Sequence, residues 1–359
     1  MRFAAISDAH LSETLYAHRP LLRGDAGRAL KAVVSRILET GRISTCLWIG
    51  DNLNSRRPSP EDVHEGMEAV LRLAKEGIPS LSIQGNHDRC PRSWLTLCGA
   101  EDISGKTVSV AGTRFSGMDF CNGTAYAEFM EWMSKIPETD VLALHQPLGV
   151  FGNFSPNTFE VEDVPDNVRW GVVCGHTHIA EIRRSISGKY VVSPGATHPR
   201  NVSEPPGTFL VVEDKVPRIE QVPGCRQIIR RQVDEDRKLD EALSICAMMS
   251  ELDVSPEEMP ILDLRYSHEY AKHVPEFRKA GKGCHLFMSV IGSPRLEATT
   301  VAGSSLSSRE VLEKFVPKGS PQHSMLCSLI EGDDPEKMLD DLEKNCGERE
   351  KEIDAPHQA

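Results

Sequence analysis

Gly85-Asn86-His87-Asp88 sets an amide oxygen, an imidazole and a carboxylate side by side, after the apolar run Pro79 to Ile83 and before a polar turn containing Pro91. An asparagine oxygen can ligate a divalent cation, a histidine can donate a proton, and an aspartate can hold that histidine in one tautomer. The same residue types also build tight turns whose polar groups only satisfy the backbone. Repetition decides between the two. Asp8 and His10, Asp51, His145, and the pair His176 and His178 each follow an apolar run in the same way. With Asn86 they form a set of oxygen and nitrogen donors that lacks a thiolate. Such a set suits Mn²⁺, Fe or Zn²⁺ better than Ca²⁺ or a cysteine-type structural zinc. Seven donors are too many for one tetrahedral ion. They suit two ions sharing a carboxylate, the arrangement that clamps the attacking and leaving oxygens of a phosphoester. Taken singly, His145 reads as a core histidine and Asp51 as a turn carboxylate; five strand ends offering such groups do not.

The elements that must position these groups follow from periodicity. Residues 2–6, Cys46 to Ile49 and 79–83 are short apolar strands. Between them, Asp25 to Glu39 and Pro60 to Lys75 carry apolar residues at helical spacing. That β-α-β-α-β order favours a parallel sheet covered by helices, whose carboxyl edge gathers ligand-binding residues. A hairpin is expected over Thr107 to Gly117 and a helix over Ala125 to Lys135. Further strands are expected at Val141 to Leu144, Trp170 to Cys174, Lys189 to Ser193 and Thr208 to Val212. Two sheets with helices outside is the simplest arrangement for that many strands. The pattern shifts near Pro217 to Gly224, followed by a basic and charged stretch from Arg226 to Lys238. A helix over Leu239 to Leu252, strands over Ile261 to Tyr266 and His285 to Ile291, and a helix over Arg309 to Phe315 complete a smaller α+β part. The expected division is 1–224, 225–330, and an acidic tail over 331–359, either a solvated helix or disordered.

Composition bounds the class. The chain has 359 residues and a net charge of −12, of which −7 comes from Glu331 to Ala359. An acidic total argues weakly against non-specific coating of nucleic acid, but not against an enzyme whose site carries metal ions. No apolar run is long enough to span a membrane. The ten cysteines are scattered without a CxxC pair, and the N-terminus is too short in apolar residues for a signal peptide, so reduced thiols and a cytoplasmic setting are expected.

Asp8-Ala9-His10, Gly50-Asp51-Asn52, Gly85-Asn86-His87-Asp88, His145 and Gly175-His176-Thr177-His178 resemble, in order, the five motifs of calcineurin-like metallophosphoesterases. The resemblance spans residues 1 to about 215. It implies a four-layer α/β/β/α sandwich, here with a smaller C-terminal α+β capping domain. It also implies that Asp8, His10 and His178 hold one metal, that Asn86, His145 and His176 hold the other, and that Asp51 bridges. His87 would protonate or stabilise the leaving oxygen, oriented by Asp88. That role fits the chemistry, because an acid is needed at the leaving group and His87 is the imidazole left over.

The motifs fix a reaction class rather than a substrate. The segment Asp51-Asn52-Leu53-Asn54 into Arg57-Pro58-Ser59-Pro60-Glu61, the loop Ser193 to Arg200, and the continuation past residue 225 resemble SbcD-type DNA-repair nucleases. This implies a Mn²⁺-dependent 3′-5′ exonuclease and endonuclease acting on DNA in double-strand-break repair or recombination. Asn54, Arg57 and Arg200 would be substrate contacts. An SbcC-type coiled-coil ATPase would be the partner, docking on residues 331–345, and a homodimer is implied by resemblance alone. The setting would be the nucleoid, or a host cytoplasm for a viral chain. Asn54 departs from the pattern, since relatives usually carry Asp or His there. Arg183, Arg184, Arg230 and Arg231 could face phosphates, and His198 could be a contact on the rim. The alternatives are a small-molecule phosphodiesterase or protein phosphatase on the same core, and a non-enzymatic metal-binding scaffold.

Overall fold

A computed structural model describes residues 1–12, 22–122, 124–149, 158–255, 258–282 and 284–291. The chain opens with β1 (Phe3–Ile6), α1 (Asp25–Thr40), β2 (Cys46–Ile49), α2 (Pro60–Lys75) and β3 (Ser80–Ile83), then the short α3 (Trp94–Leu97) and β4 (Glu101–Asp102). A second run holds β5 (Lys106–Val110), β6 (Thr113–Met118), α4 (Thr124–Lys135), β7 (Thr139–His145), β8 (Val168–Gly175), β9 (Ala180–Arg184) and β10 (Tyr190–Pro194). The hairpin β11 (Thr208–Glu213) and β12 (Val216–Gln221) returns to the first sheet.

Two six-stranded sheets result, in the orders β12-β11-β1-β2-β3-β4 and β5-β6-β7-β8-β10-β9. The central strands are buried on both faces, which is why they read as short apolar runs. Alternation along β1 shows the layering. Ala4 and Ile6 pack with Leu30, Val33 and Ile37 of α1 and Val70 and Leu73 of α2. Phe3 and Ala5 face the other way, into a core with Phe115, Val141, Val173 and Val192 of the second sheet. The far face of that sheet, with Leu142, Leu144 and Val172, packs on Phe129 and Met133 of α4. These four layers form the expected α/β/β/α sandwich. α2 starts where its sequence says it should: Ser59 and Asp62 form a capping box, with a proline in the first turn.

Four strands differ from the sequence reading, β4 and β9 among them. β12 lies inside the stretch where the pattern breaks; it is an edge strand, where Pro217 is tolerated. β13 (Ile228–Val233) lies inside the stretch read only as charged. With α5 (Asp236–Ser250), β14 (Ile261–Ser267), α6 (Val274–Ala280) and β15 (His285–Ile291) it makes a third, all-parallel sheet with a hydrophobic cluster of its own. Met1–Ser293 form one compact unit. One tie within it is buried: the Arg226 guanidinium donates from Nε to Asp25 Oδ2 at 2.7 Å and from Nη2 to Oδ1 at 3.0 Å, at the start of α1. Losing one partner of such a pair strands a buried charge, a cost of about 3–5 kcal/mol. The eight described cysteines are free thiols, and no described helix is long and apolar enough to cross a membrane. The helix expected over Arg309 to Phe315, the rest of the expected 225–330 part, and the acidic tail lie outside the described residues.

Candidate metal centre

The expected ligands lie at or just past the ends of β1, β2, β3, β7 and β8, and the two sheets bring those strand ends together. Five of them carry backbone strain. Asp8 (φ 51°), His10 (φ 45°), Asp51 (φ 49°), His176 (φ 87°) and His178 (φ 57°) adopt the left-handed region that side chains other than glycine rarely enter. Residues in this state cost about 1–3 kcal/mol each and persist only where the surroundings over-determine them.

Their side chains converge in two clusters, Asp8-His10-His178 and Asp51-His145-His176, whose donor atoms lie within 4.8 Å of one another inside each cluster. His10 Nε2 is 3.0 Å from His178 Nε2, and His178 Nε2 is 3.3 Å from Asp8 Oδ1. His145 Nε2 is 3.4 Å from Asp51 Oδ2 and 3.9 Å from Asp8 Oδ1, so the clusters adjoin. Asn86 Oδ1 lies 3.0 Å from His176 Nδ1, beside the second cluster. Asp8, His10 and His145 are fully buried, and Asp51 is 2% exposed.

The donor set fits cations. His145 Nδ1 lies 2.6 Å from the Ile49 carbonyl oxygen, to which it donates, so Nε2 is the ring nitrogen turned toward the two aspartates. Burial drives His10 down to about 3 and His176 to about 4, keeping both imidazoles neutral and free to ligate. Burial also opposes charge on His145 and His178. The Asp51 charge nonetheless raises His145 to about 9, and hydrogen bonds to Asp8 and Glu204 raise His178 to about 10. Burial pushes Asp51 up, but His145 and His10 hold it below the usual carboxylate range. Cations bound here would compete with protons for His145 and His178.

The sequence profile of the calcineurin-like phosphoesterase superfamily domain matches residues 1–215. The chain belongs to that superfamily. The DNA double-strand break repair protein Mre11 of Haloferax volcanii is 31% identical over 216 residues, which cover 57% of this chain and 47% of that one. Its counterpart in Archaeoglobus fulgidus is 32% identical over 233 residues, covering 57% and 52%. The chain spans about half the length of these curated relatives. Among solved structures, a dimetal phosphatase from Danio rerio matches over 62% of this chain and 99% of its own at 12% identity, with a TM-score of 0.41.

The glycines of this phosphoesterase's motifs make room for the centre. A Cβ on Gly85 would collide with the Asp51 carboxylate, and one on Gly175 with Ser7 Oγ and the His145 ring. Asp88 corrects one expectation: it does not orient His87. Its carboxylate receives backbone N–H groups from Gly85 (2.7 Å), Asn52 (2.8 Å), Asp51 (3.3 Å) and Leu53 (3.4 Å), lashing the loop after β3 to the loop after β2. Burial and the nearby Asp51 charge raise Asp88 to about 6. Asp88→Asn turns an amide N–H₂ toward those donors. An unmet buried donor costs about 1–3 kcal/mol. The variant is therefore expected to melt several degrees below the parent protein; an unchanged melting temperature would show that the lashing contributes nothing.

His87 stands outside both clusters, edge-on to His10 with ring centroids 5.1 Å apart. Arg200 Nη1 donates to His87 Nε2 at 3.3 Å, so this expected substrate contact sits at the centre. Asn54 lies on the loop after β2 with its Oδ1 buried and unpartnered among the described residues, and Arg57, further along, is exposed. His198 is 3% exposed and so is not a rim contact; burial drives it down to about 4. Two neighbours escaped the sequence reading. Phe120 stacks on His176 at 5.4 Å, and Glu204 Oε2 lies 3.1 Å from His178 Nδ1. Phe120 had no signal at all, and Glu204 only its closeness in sequence to Arg200.

Proposed function

We propose that this chain is a two-cation phosphodiesterase that cleaves DNA, acting in double-strand-break repair as a Mn²⁺-preferring exonuclease and endonuclease. The observation that carries the chemistry is the pair of adjoining, buried, thiolate-free clusters at the carboxyl edge of a phosphoesterase fold. The similarity to the Mre11 proteins of Haloferax volcanii and Archaeoglobus fulgidus favours DNA over other phosphodiesters. Asp8, His10 and His178 would hold one cation and Asn86, His145 and His176 the other, with Asp51 between them. When bound, the pair supplies a lowered water pKa and neutralises charge on the phosphate oxygens.

The chain's own residues do the rest. His145 is held to one ring orientation by the Ile49 carbonyl. Asp51 Oδ1 accepts the His87 backbone N–H at 2.8 Å, so the loop bearing the acid is indexed to the cluster. In the resting centre Arg200 donates to His87 Nε2, the nitrogen from which a proton would go to the leaving oxygen. A phosphate entering the site would draw Arg200 onto its own oxygens and free that nitrogen, which would take a proton from solvent before passing one to the leaving oxygen. An ATPase partner of coiled-coil type would dock on residues 331–345, outside the described residues, and a homodimer is the assembly we expect.

The test is hydrolysis of end-labelled linear duplex DNA with Mn²⁺, Mg²⁺ or EDTA, beside a bis-aryl phosphodiester. Degradation of DNA with Mn²⁺ and none with EDTA is expected. Cleavage of the aryl ester with intact DNA would keep the two-cation site and overturn DNA as the substrate, in favour of a small-molecule phosphodiesterase.

A further inference from the structure

The loop between β10 and β11 carries two side chains into the centre: Arg200, which meets His87, and Glu204, which meets His178. Glu204 is a fixed group. Its Oε2 also accepts the Arg200 backbone N–H at 2.7 Å, and its Oε1 accepts Asn201 Nδ2 at 2.8 Å. The carboxylate is mostly withdrawn from water, with 18% of its side chain exposed against 14% for His178.

Two arginines of the third sheet hold this loop. Arg230 on β13 donates from Nε and Nη2 to the Val202 carbonyl at 3.0 and 2.7 Å, and Nη2 also reaches the Glu204 carbonyl. Arg265 on the neighbouring strand β14 donates to Ser203 Oγ at 3.1 Å and is itself held by the buried Asp263. Arg230 is therefore spent on the protein's own carbonyls rather than turned toward a phosphate backbone.

A carboxylate that accepts one ring N–H of a ligating histidine fixes its tautomer and orientation and makes the other nitrogen a better donor. His178 has this arrangement: Nδ1 toward Glu204, Nε2 toward Asp8 and His10. We propose that Glu204 is a positioning residue that aims His178 at the first cation, and that Arg230 holds Glu204 in place, so that the third sheet tunes one of the two sites. The inference rests on the two-cation reading above.

The experiment is calorimetric titration of the metal-free full chain with Mn²⁺ at one pH, for the parent protein and for Glu204→Ala, Glu204→Gln and Arg230→Ala. Thermal melting without metal runs alongside. The parent protein is expected to bind two ions. Glu204→Ala is expected to weaken one of them by about 10- to 100-fold and leave the other within about threefold, since loss of such a partner costs metal affinity on that scale. Glu204→Gln keeps the shape but loses the charge, so it should weaken the same ion by less and serves if the alanine variant does not fold. Arg230→Ala should weaken that ion too, in the same direction. Unchanged affinities in Glu204→Ala would overturn the inference. So would equal weakening of both ions together with a lowered melting temperature, which is the mark of a general structural role. A parent protein that binds no Mn²⁺ would sink the two-cation reading itself, and this inference with it.

Discussion

Asp51→Asn is expected to abolish Mn²⁺-dependent hydrolysis and the stabilisation that the metal gives, while leaving the metal-free fold close to the parent. The substitution is nearly isosteric. The asparagine Oδ1 can still accept the His87 backbone N–H that Asp51 Oδ1 accepts at 2.8 Å, so the loop after β3 keeps its anchor. What disappears is a charge, 2% exposed, standing 3.4 Å from His145 Nε2. A cation brought to this buried position would lose its main compensation, and desolvating it would no longer be offset. A ligand at about 100 times its Kd stabilises by about 2.7 kcal/mol. For a domain of this size that is a rise in melting temperature of roughly 5–10 °C. Differential scanning calorimetry with and without Mn²⁺ should show the rise in the parent and none in the variant. Turnover should fall below detection, by more than the roughly 10²- to 10³-fold that removing one preorganised hydrogen-bond donor from a reacting centre costs. Full Mn²⁺-dependent turnover in Asp51→Asn would show that the aspartate does not hold metal.

His87→Ala is expected to do the opposite: to keep the metal-induced rise in melting temperature and lose the chemistry. His87 lies outside both clusters, and the nitrogen it presents faces Arg200 rather than an aspartate. A positioned acid contributes about 10²- to 10⁴-fold, so kcat on DNA should fall by that much with little change in KM. The leaving group sharpens the test. A deoxyribose oxygen leaves as a poor anion unless it is protonated, whereas a nitrophenolate departs without help. The loss on a bis-nitrophenyl diester should therefore be far smaller than the loss on DNA. Equal losses on both would assign His87 to phosphate binding instead of proton donation.

The contrast between these two residues shows what a sequence can and cannot disclose. Asp51 and its companions were legible because each stands at the end of a strand buried on both faces. Such strands read as unbroken apolar runs, and the carboxyl edge of a sheet is where such residues meet. Edge strands are quieter. β12 was hidden by Pro217. β13 was hidden by Arg230 and Arg231, which break its apolar alternation because one of them is occupied in gripping a neighbouring loop. Asp88 is visible in the sequence, but spacing along the chain suggests the adjacent histidine as its partner. Its actual partners are backbone groups, three of them more than thirty residues away, which no spacing rule can find. Glu204 illustrates the limit: one acidic residue in a polar loop, distinguished only by what the fold sets against it.

The five left-handed corners bear on how this surface can change over generations. At each, an aspartate or histidine holds a conformation that glycine would take freely, so stability and chemistry pull in opposite directions there. A lineage released from the need to cleave would gain roughly 1 kcal/mol at each corner by drifting to glycine, less what glycine's freedom in the unfolded chain takes back. The decay of such an enzyme would therefore begin as an improvement in folding. A descendant that had abandoned the reaction would be recognised by glycines standing where its ancestor kept its metal, on an otherwise sturdier protein.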